Sequence, residues 1–413
     1  MADTEEHNVS LTDQRPTATE DLIKEETIMI IAIPREIMHG ESRVSATPET
    51  VKKFIEDGAS VLVEAGAGEP SFHHDPDYVA AGAELLTDTE ELFRRADVIL
   101  KVKEPLFNEK LQKHEVDLMH EGQVLITFIH PASPVNHDMV RMLAKQGVIA
   151  LTLDGVPRIS RAQNLDALTS MSTCAGYKGI IMAANDLANF IPQMFTAVGQ
   201  IKPAKVMVIG VGVAGLQALA TARRLGAITY AADIRPAAAE QATSLGAKVV
   251  DTGVAPELAI AEGGYAKHLP KETLLREREL LLPTIKEMDI VFCSALVPGK
   301  IAPIIITEEM VKQMKPGSVI VDISIDQGGN CEITPPGDKQ RKHNVMINGI
   351  KNIPGLLPNS STWMFSQNIY NLVKYLTKDG KITLDMNDEI CQKILVTRDH
   401  QIVHEGTLEA MAK

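Results

Sequence analysis

Apolar residues along this chain gather in short runs, and between the runs they recur at helical spacing. Residues 28–33, Ile-Met-Ile-Ile-Ala-Ile, read as a buried strand, and runs at 60–64, 98–102, 124–128 and 148–153 repeat the type. Helical segments at 89–95 and 136–145 lie between them. Thr47-Pro48-Glu49 is a helix start, with threonine as the cap and proline in the first turn. Strand alternating with helix predicts a parallel sheet wound on both faces. A long helical pattern over 165–191 then leads to a second set of strands at 206–209, 228–232, 248–251, 290–294 and 318–323, with a charged helix over 268–279. After Asn352-Ile353-Pro354 the pattern changes to a helix over 363–376 and a hairpin-like piece over 394–403. The expected layout is one domain interrupted by another. Residues 29–158 and 352–413 form the first, residues 159–351 the second, and residues 1–28 are a polar, acid-rich, solvated tail.

The second set of strands opens on KVMVIGVGVAGLQALATARRLGAITYAADIR, residues 205–235: a strand, a glycine turn, an amphipathic helix and a strand that ends on Asp233. In Gly210-x-Gly212-x-x-Gly215 the first glycine permits the sharp turn, the second lets the backbone approach a pyrophosphate, and the third lets helix and strand pack closely. The helix N-terminus offers unpaired N–H groups to the phosphates. Asp233 stands at the spacing of about 20 residues at which a carboxylate reaches the adenosine ribose hydroxyls. It would repel a 2′-phosphate and so favours NAD over NADP, a preference that the nearby Arg235 weakens. The fold class is therefore α/β: two doubly wound parallel-sheet, Rossmann-like domains, one inserted into the other.

Composition narrows the partners. A chain of 413 residues exceeds one ordinary core of about 100 to 200 residues, so two domains are expected. Hydrophobic content of 45% with 23% charged residues is that of a soluble globular protein, and no apolar run approaches the ~20 residues a membrane helix needs. A formal charge of −13, from 41 basic and 54 acidic residues, speaks against a nucleic-acid partner. Cys174, Cys293, Cys331 and Cys391 lie apart, with no CxxC or Cys/His grouping. They give no case for zinc or a disulfide framework and point to reduced thiols in a cytosolic compartment.

Ligands of open α/β sheets sit beyond the carboxyl ends of the strands. Arg43, Lys103, His130 and Asp326 follow strands there. An arginine can clamp a carboxylate, a lysine can polarise a carbonyl, and a histidine can pass a proton near neutral pH. Together they suggest handling of a 2-oxo acid. A second grouping is Pro157-Arg158-Ile159-Ser160-Arg161-Ala162-Gln163-Asn164-Leu165-Asp166, where Arg158, Gln163 and Asp166 offer a cation, an amide and a carboxylate on one loop. These groups could bind a nicotinamide carboxamide, a ribose or a pyrophosphate. Equally, Asp166 could be a helix cap and the arginines solvated.

The segments PRISRAQNLDAL (157–168), GVGVAGLQALATARRLGA (210–227), GGYAKHL (263–269), ALVPGKIAP (295–303), MKPGSVIVDI (314–323) and GGNCEITPPG (328–337) resemble those of one family. It is the NAD(H)-binding soluble portion, the first piece of a split alpha subunit, of the proton-translocating NAD(P) transhydrogenases. The chain is similar, more distantly, to the alanine dehydrogenases of the same superfamily. The resemblance implies hydride transfer between NADH here and NADP(H) on a partner subunit, with no metal. Gln163 would contact the nicotinamide ribose and reach towards that partner, Arg158 and Asp166 would fix the ring, and Thr169 and Ser172 would add polar contacts. Gly210, Val211, Gly212, Val213, Gly215, Asp233, Ile234, Arg235, Gly264, Glu277 and Leu296 would complete the NAD(H) site.

Further partners implied are a membrane-spanning subunit that translocates protons and a second copy of this chain. A chain ending at Lys413 would then be peripheral on the cytoplasmic side of the inner membrane. Arg43, Lys103, His130 and Asp326 look like the positions where alanine dehydrogenases keep their pyruvate-binding and proton-transfer residues. An NAD-dependent alanine dehydrogenase is thus the alternative, and a docking module that keeps only the cofactor fold is a third.

Overall fold

A computed structural model describes residues 28–260, 266–297 and 301–412. The tail expected over 1–28 lies, apart from Ile28, outside the described residues.

Two large sheets carry the fold. The first has eight strands in the spatial order Gln401–Ile402, Leu395–Arg398, Ile149–Thr152, Val124–Thr127, Val98–Leu100, Ile30–Ile33, Ser60–Glu64 and Glu84–Leu86. Its members pair in parallel except for the last hairpin of the chain, which joins antiparallel to Ile149–Thr152. The second sheet has seven strands in the order Lys248–Val249, Ile228–Ala232, Lys205–Ile209, Ile290–Cys293, Val319–Asp322, Val345–Asn348 and Lys339–Lys342. Only Lys339–Lys342 runs antiparallel. The α/β class with two doubly wound, mainly parallel sheets is thus the observed architecture.

Each sheet is covered on both faces, and side-chain alternation decides which core each residue joins. Ile31, Ile33, Val61 and Val63 enter one core of the first sheet, while Ala32, Leu62 and Ile99 enter the other. In the second sheet Val206 and Val208 face one core, and Met207 and Ile209 the opposite one. Strands buried on both faces read as unbroken apolar runs.

The long connecting helix is Ala167–Asp186, shorter than the expected 165–191 because Asp166 caps its start and Leu187 is already extended. The chain then makes a separate hairpin, Met194–Thr196 with Gly199–Ile201. The expected 268–279 helix is Lys271–Ile285, and 363–376 begins earlier, at Pro358–Leu376, with proline in the first turn. Phe365, Ile369, Leu372 and Val373 of that helix lie in the first sheet's core beside Met171 and Cys174 of the connecting helix.

Candidate functional site

The three glycines of the turn after Lys205–Ile209 are required for three separable reasons. Gly210 has φ +84°, and a Cβ there would stand 2.5 Å from the Ala295 nitrogen. A Cβ at Gly215 would stand 2.2 Å from the Gly210 carbonyl oxygen, so helix Val213–Arg224 could not seat against the strand. At Gly212 a Cβ would meet nothing within 4 Å. That open side is where a bulky anion can reach the backbone, at a helix N-terminus that no side chain caps.

Asp233 lies just beyond strand Ile228–Ala232 and accepts from the backbone of Val211 (2.7 Å) and Arg235 (2.8 Å). The Arg235 guanidinium folds back on it, with Nε 3.0 Å and Nη2 2.8 Å from its two oxygens. The expected opposition between Asp233 and Arg235 is thus an ion pair in the structure, with Ile234 between them. Glu277, from helix Lys271–Ile285, is only 3% exposed. Burial, reinforced by the Asp233 charge and opposed by Arg278, pushes its carboxyl up to about 7.

A buried polar knot holds the loop that carries Leu296. Asn330 accepts from the Ala295 nitrogen (2.9 Å) and donates to the carbonyls of Ala295 (2.8 Å) and Pro303 (2.9 Å). Asp322, fully buried, accepts from the backbone of Ser324, Asn330 and Cys331 and from the Thr334 hydroxyl. Ser294 ties the same strand end to the Gly210 carbonyl at 2.7 Å. Sequence reasoning reaches these segments without finding the knot, whose only signal is an acid at a strand end followed by Gly328-Gly329-Asn330. Gly264 lies outside the described residues.

The loop before the long helix is a 3₁₀ segment, Ser160–Leu165. Ala162 and Leu165 are buried, whereas Arg158 and Gln163 are exposed. Asp166 is the helix cap: its oxygens accept from the Thr169 nitrogen (2.8 Å) and the Thr169 hydroxyl (2.6 Å). Ser172 follows, half-buried, on the same helix.

At the first sheet the candidate charges are matched within the chain. The Arg43 guanidinium is buried and pairs with both oxygens of Glu41, at 2.7 and 2.6 Å, and donates to Asn352 at 3.0 Å. Burial would raise the Glu41 carboxyl, but the Arg43 contacts and the Lys103 charge hold it below the usual range. An Arg43 free to clamp a substrate carboxylate, as its place in the sequence suggests, is not what the structure presents.

The next charges follow the same rule. His130, in left-handed backbone at φ +47°, pairs through Nδ1 with Asp154 at 2.7 Å. Burial opposes its protonation, but Asp154 and then Glu104 outweigh this and raise its pKa, with Lys103 pulling it down. Asp326 is exposed and reaches Lys351 at 3.8 Å. Lys103 therefore lies within electrostatic reach of both Glu41 and His130, and Asp326 touches the neighbour of Asn352. The largest surprise is Lys101, which is fully buried between Glu115 (2.9 Å) and Glu36 (3.5 Å). Burial drives Glu36 up to about 7 against the pull of Lys101. Among the described residues no group of acids, histidines and cysteines could hold a metal ion.

Two doubly wound sheets, an open glycine turn and an acid at the next strand end define a dinucleotide-binding α/β protein. Comparison with known proteins makes this specific. The domain described as alanine dehydrogenase/PNT, N-terminal, matches residues 32–175, and its C-terminal counterpart matches residues 179–405. The chain belongs to the alanine dehydrogenase/PNT family. It is 42% identical over 379 residues to the first of the split chains of NAD(P) transhydrogenase subunit alpha in Rhodospirillum rubrum, covering 91% of this chain and 98% of that one. It is 34% identical over 346 residues to alanine dehydrogenase of Bacillus subtilis, covering 81% and 82%. The crystal structure of transhydrogenase from Sinorhizobium meliloti superposes with a TM-score of 0.79 at 36% identity, over 91% of this chain and all of that one.

Proposed function

We propose that this chain is the NAD(H)-binding subunit of a proton-translocating NAD(P)⁺ transhydrogenase. Hydride passes directly between the nicotinamide of NADH bound here and that of NADP⁺ bound on a partner subunit. Such a transfer consumes no proton and needs no metal; alignment of the two rings is the catalytic device. The turn at Gly210, Gly212 and Gly215 takes the pyrophosphate, and Asp233, steadied by Arg235, takes the adenosine ribose. Arg158 and Asp166 fix the nicotinamide end, and Gln163 contacts its ribose on the side open to the partner.

The observation that carries this reading is the 158–166 loop, which is anchored by Ala162 and Leu165 yet leaves Gln163 exposed. Mixing the purified chain with an NADP-binding partner domain should give hydride exchange from NADH to an NADP⁺ analogue. Measured NADH binding without exchange overturns the reading.

No helix among the described residues is long and apolar enough to cross a membrane, so in this reading membrane-spanning partner subunits carry the protons. The chain sits on the cytoplasmic side through them. A homodimer is supported by the hairpin Met194–Thr196 with Gly199–Ile201, whose Phe195 is 74% and Val198 97% exposed. A lone two-stranded hairpin is marginal in water, and a second copy would cover it. Sedimentation should give a dimer that Phe195→Ser weakens.

The second reading, an alanine dehydrogenase, is favoured by the His130–Asp154 pair. Against it stands the bidentate hold of Glu41 on Arg43. NADH oxidation with pyruvate and ammonium, abolished by His130→Ala, is its signature; zero turnover removes it.

A further inference from the structure

We propose that Arg161, through Tyr375 and Asp388, is a positioning residue for hydride transfer: it fixes the rotation of the loop that presents Gln163. The proposal rests on the function proposed above.

A 3₁₀ segment repeats every three residues, so side chains at i and i+3 eclipse and the segment has three faces. In Ser160–Leu165 the three faces do different things. Ala162 and Leu165 form the buried face. Ser160 and Gln163 form an exposed one. Arg161 and Asn164 form the third, and both are tied to helix Pro358–Leu376 or the residues just after it.

The Asn164 carbonyl accepts from Asn368 at 2.9 Å and Asn371 at 3.3 Å. The Arg161 guanidinium forks, with Nη1 2.5 Å from the Tyr375 hydroxyl and Nη2 2.7 Å from an Asp388 oxygen. Tyr375 in turn donates to the other Asp388 oxygen, closing a ring of three side chains. Asp388 is itself fixed, because it caps helix Glu389–Ile394 through the Ile390 nitrogen at 3.0 Å. Arg161, with Tyr375 helping, holds the Asp388 carboxyl down to about 2, so the ring stays charged at any working pH.

Apolar burial alone would let so short a segment turn about its axis, since Ala162 offers little to grip. A planar fork that meets two fixed acceptors removes that freedom; an ammonium on a flexible stem does not replace it. Because Gln163 lies on the face next to the clamp, its direction depends on the ring. The glycine turn and Asp233, which carry most of the dinucleotide, belong to the other sheet and do not.

Arg161→Ala should lower hydride exchange with the partner domain roughly ten- to a hundredfold, the range that a misplacement of about 1 Å produces. NADH affinity should change less than about threefold, since the phosphate and ribose contacts stay. Arg161→Lys should recover only part of the rate, and Tyr375→Phe should show a smaller loss of the same kind with its ring packing intact. Amide exchange of residues 158–166 should quicken in both Arg161 variants.

Equal losses of affinity and rate would overturn the proposal, as would an unchanged rate or full rescue by lysine. If wild type itself gives no exchange with its partner, the functional reading fails. If wild type is active and Arg161→Ala matches it, only the present proposal does.

Discussion

The ends of the two central strand sets in this protein face ligands with opposite electrostatic habits. At the first sheet every candidate charge has an internal counter-charge: Arg43 with Glu41, Lys101 with Glu36 and Glu115, His130 with Asp154. At the second, the chain leaves a helix N-terminus uncapped and a glycine facing open space. Even there the one strong pair, Asp233 with Arg235, braces a carboxylate against Val211 of the turn. Two sheets of similar topology can thus hold one set of residues that is finished without a ligand and one that is not. The unfinished one is where binding energy is available.

The largest effect expected from breaking this contrast is at Glu41. Glu41→Ala strands a buried guanidinium and should cost about 3 to 5 kcal/mol in urea denaturation. The double change Glu41→Ala with Arg43→Met should return most of it, because the penalty lies in the orphaned charge. A single variant no less stable than wild type would mean the pair is dispensable.

Glu277 and Glu36 give one buried acid per region, each raised to about 7. A folded state that holds a carboxyl proton more tightly than the unfolded chain loses stability as pH rises between the two pKa values. The contribution of Glu277 is therefore intact below about pH 4.5 and gone above about pH 7, a change of roughly 3 kcal/mol. Glu277→Gln should match wild type at pH 4.5 and exceed it at pH 8 by roughly that amount. Glu36 keeps its share of the slope, so only the double Gln variant should be flat. Denaturation midpoints across that range decide it.

Gly215→Ala should weaken NADH binding at least about a hundredfold, near 2.7 kcal/mol, by forcing turn and helix apart. Titration by fluorescence reads this directly, and unchanged affinity would separate the cofactor from the turn. The smallest effect belongs to His130→Ala, whose hydride exchange with the partner domain should stay within about twofold of wild type, as a direct transfer uses no proton carrier.

The strands are legible because a parallel sheet buried on both faces leaves continuous apolar runs, and the turn because glycine spacing records backbone needs. Strand Lys339–Lys342 is not, since an edge strand made of charged and amide side chains has no hydrophobic signature. Lys101 escapes notice beside Lys103, because nothing local distinguishes a lysine enclosed by two distant acids from a solvated one. The Arg161 ring joins residues separated by 214 and 227 positions, and Asn330 reaches back 35 to Ala295. Such partners are set by topology. Asp166 is legible as a cap from its place before a helix, and the structure uses it as one.

The long helix that starts at Asp166 also passes its neighbours with no room for a methyl group. A Cβ at Gly176 would stand 2.1 Å from the Ala214 oxygen, and one at Gly179 would stand 2.5 Å from the Phe292 ring. A rod seated with so little play cannot slide on its bearings. Any tilt given to the loop at its head must be handed on to the phosphate cradle or refused outright.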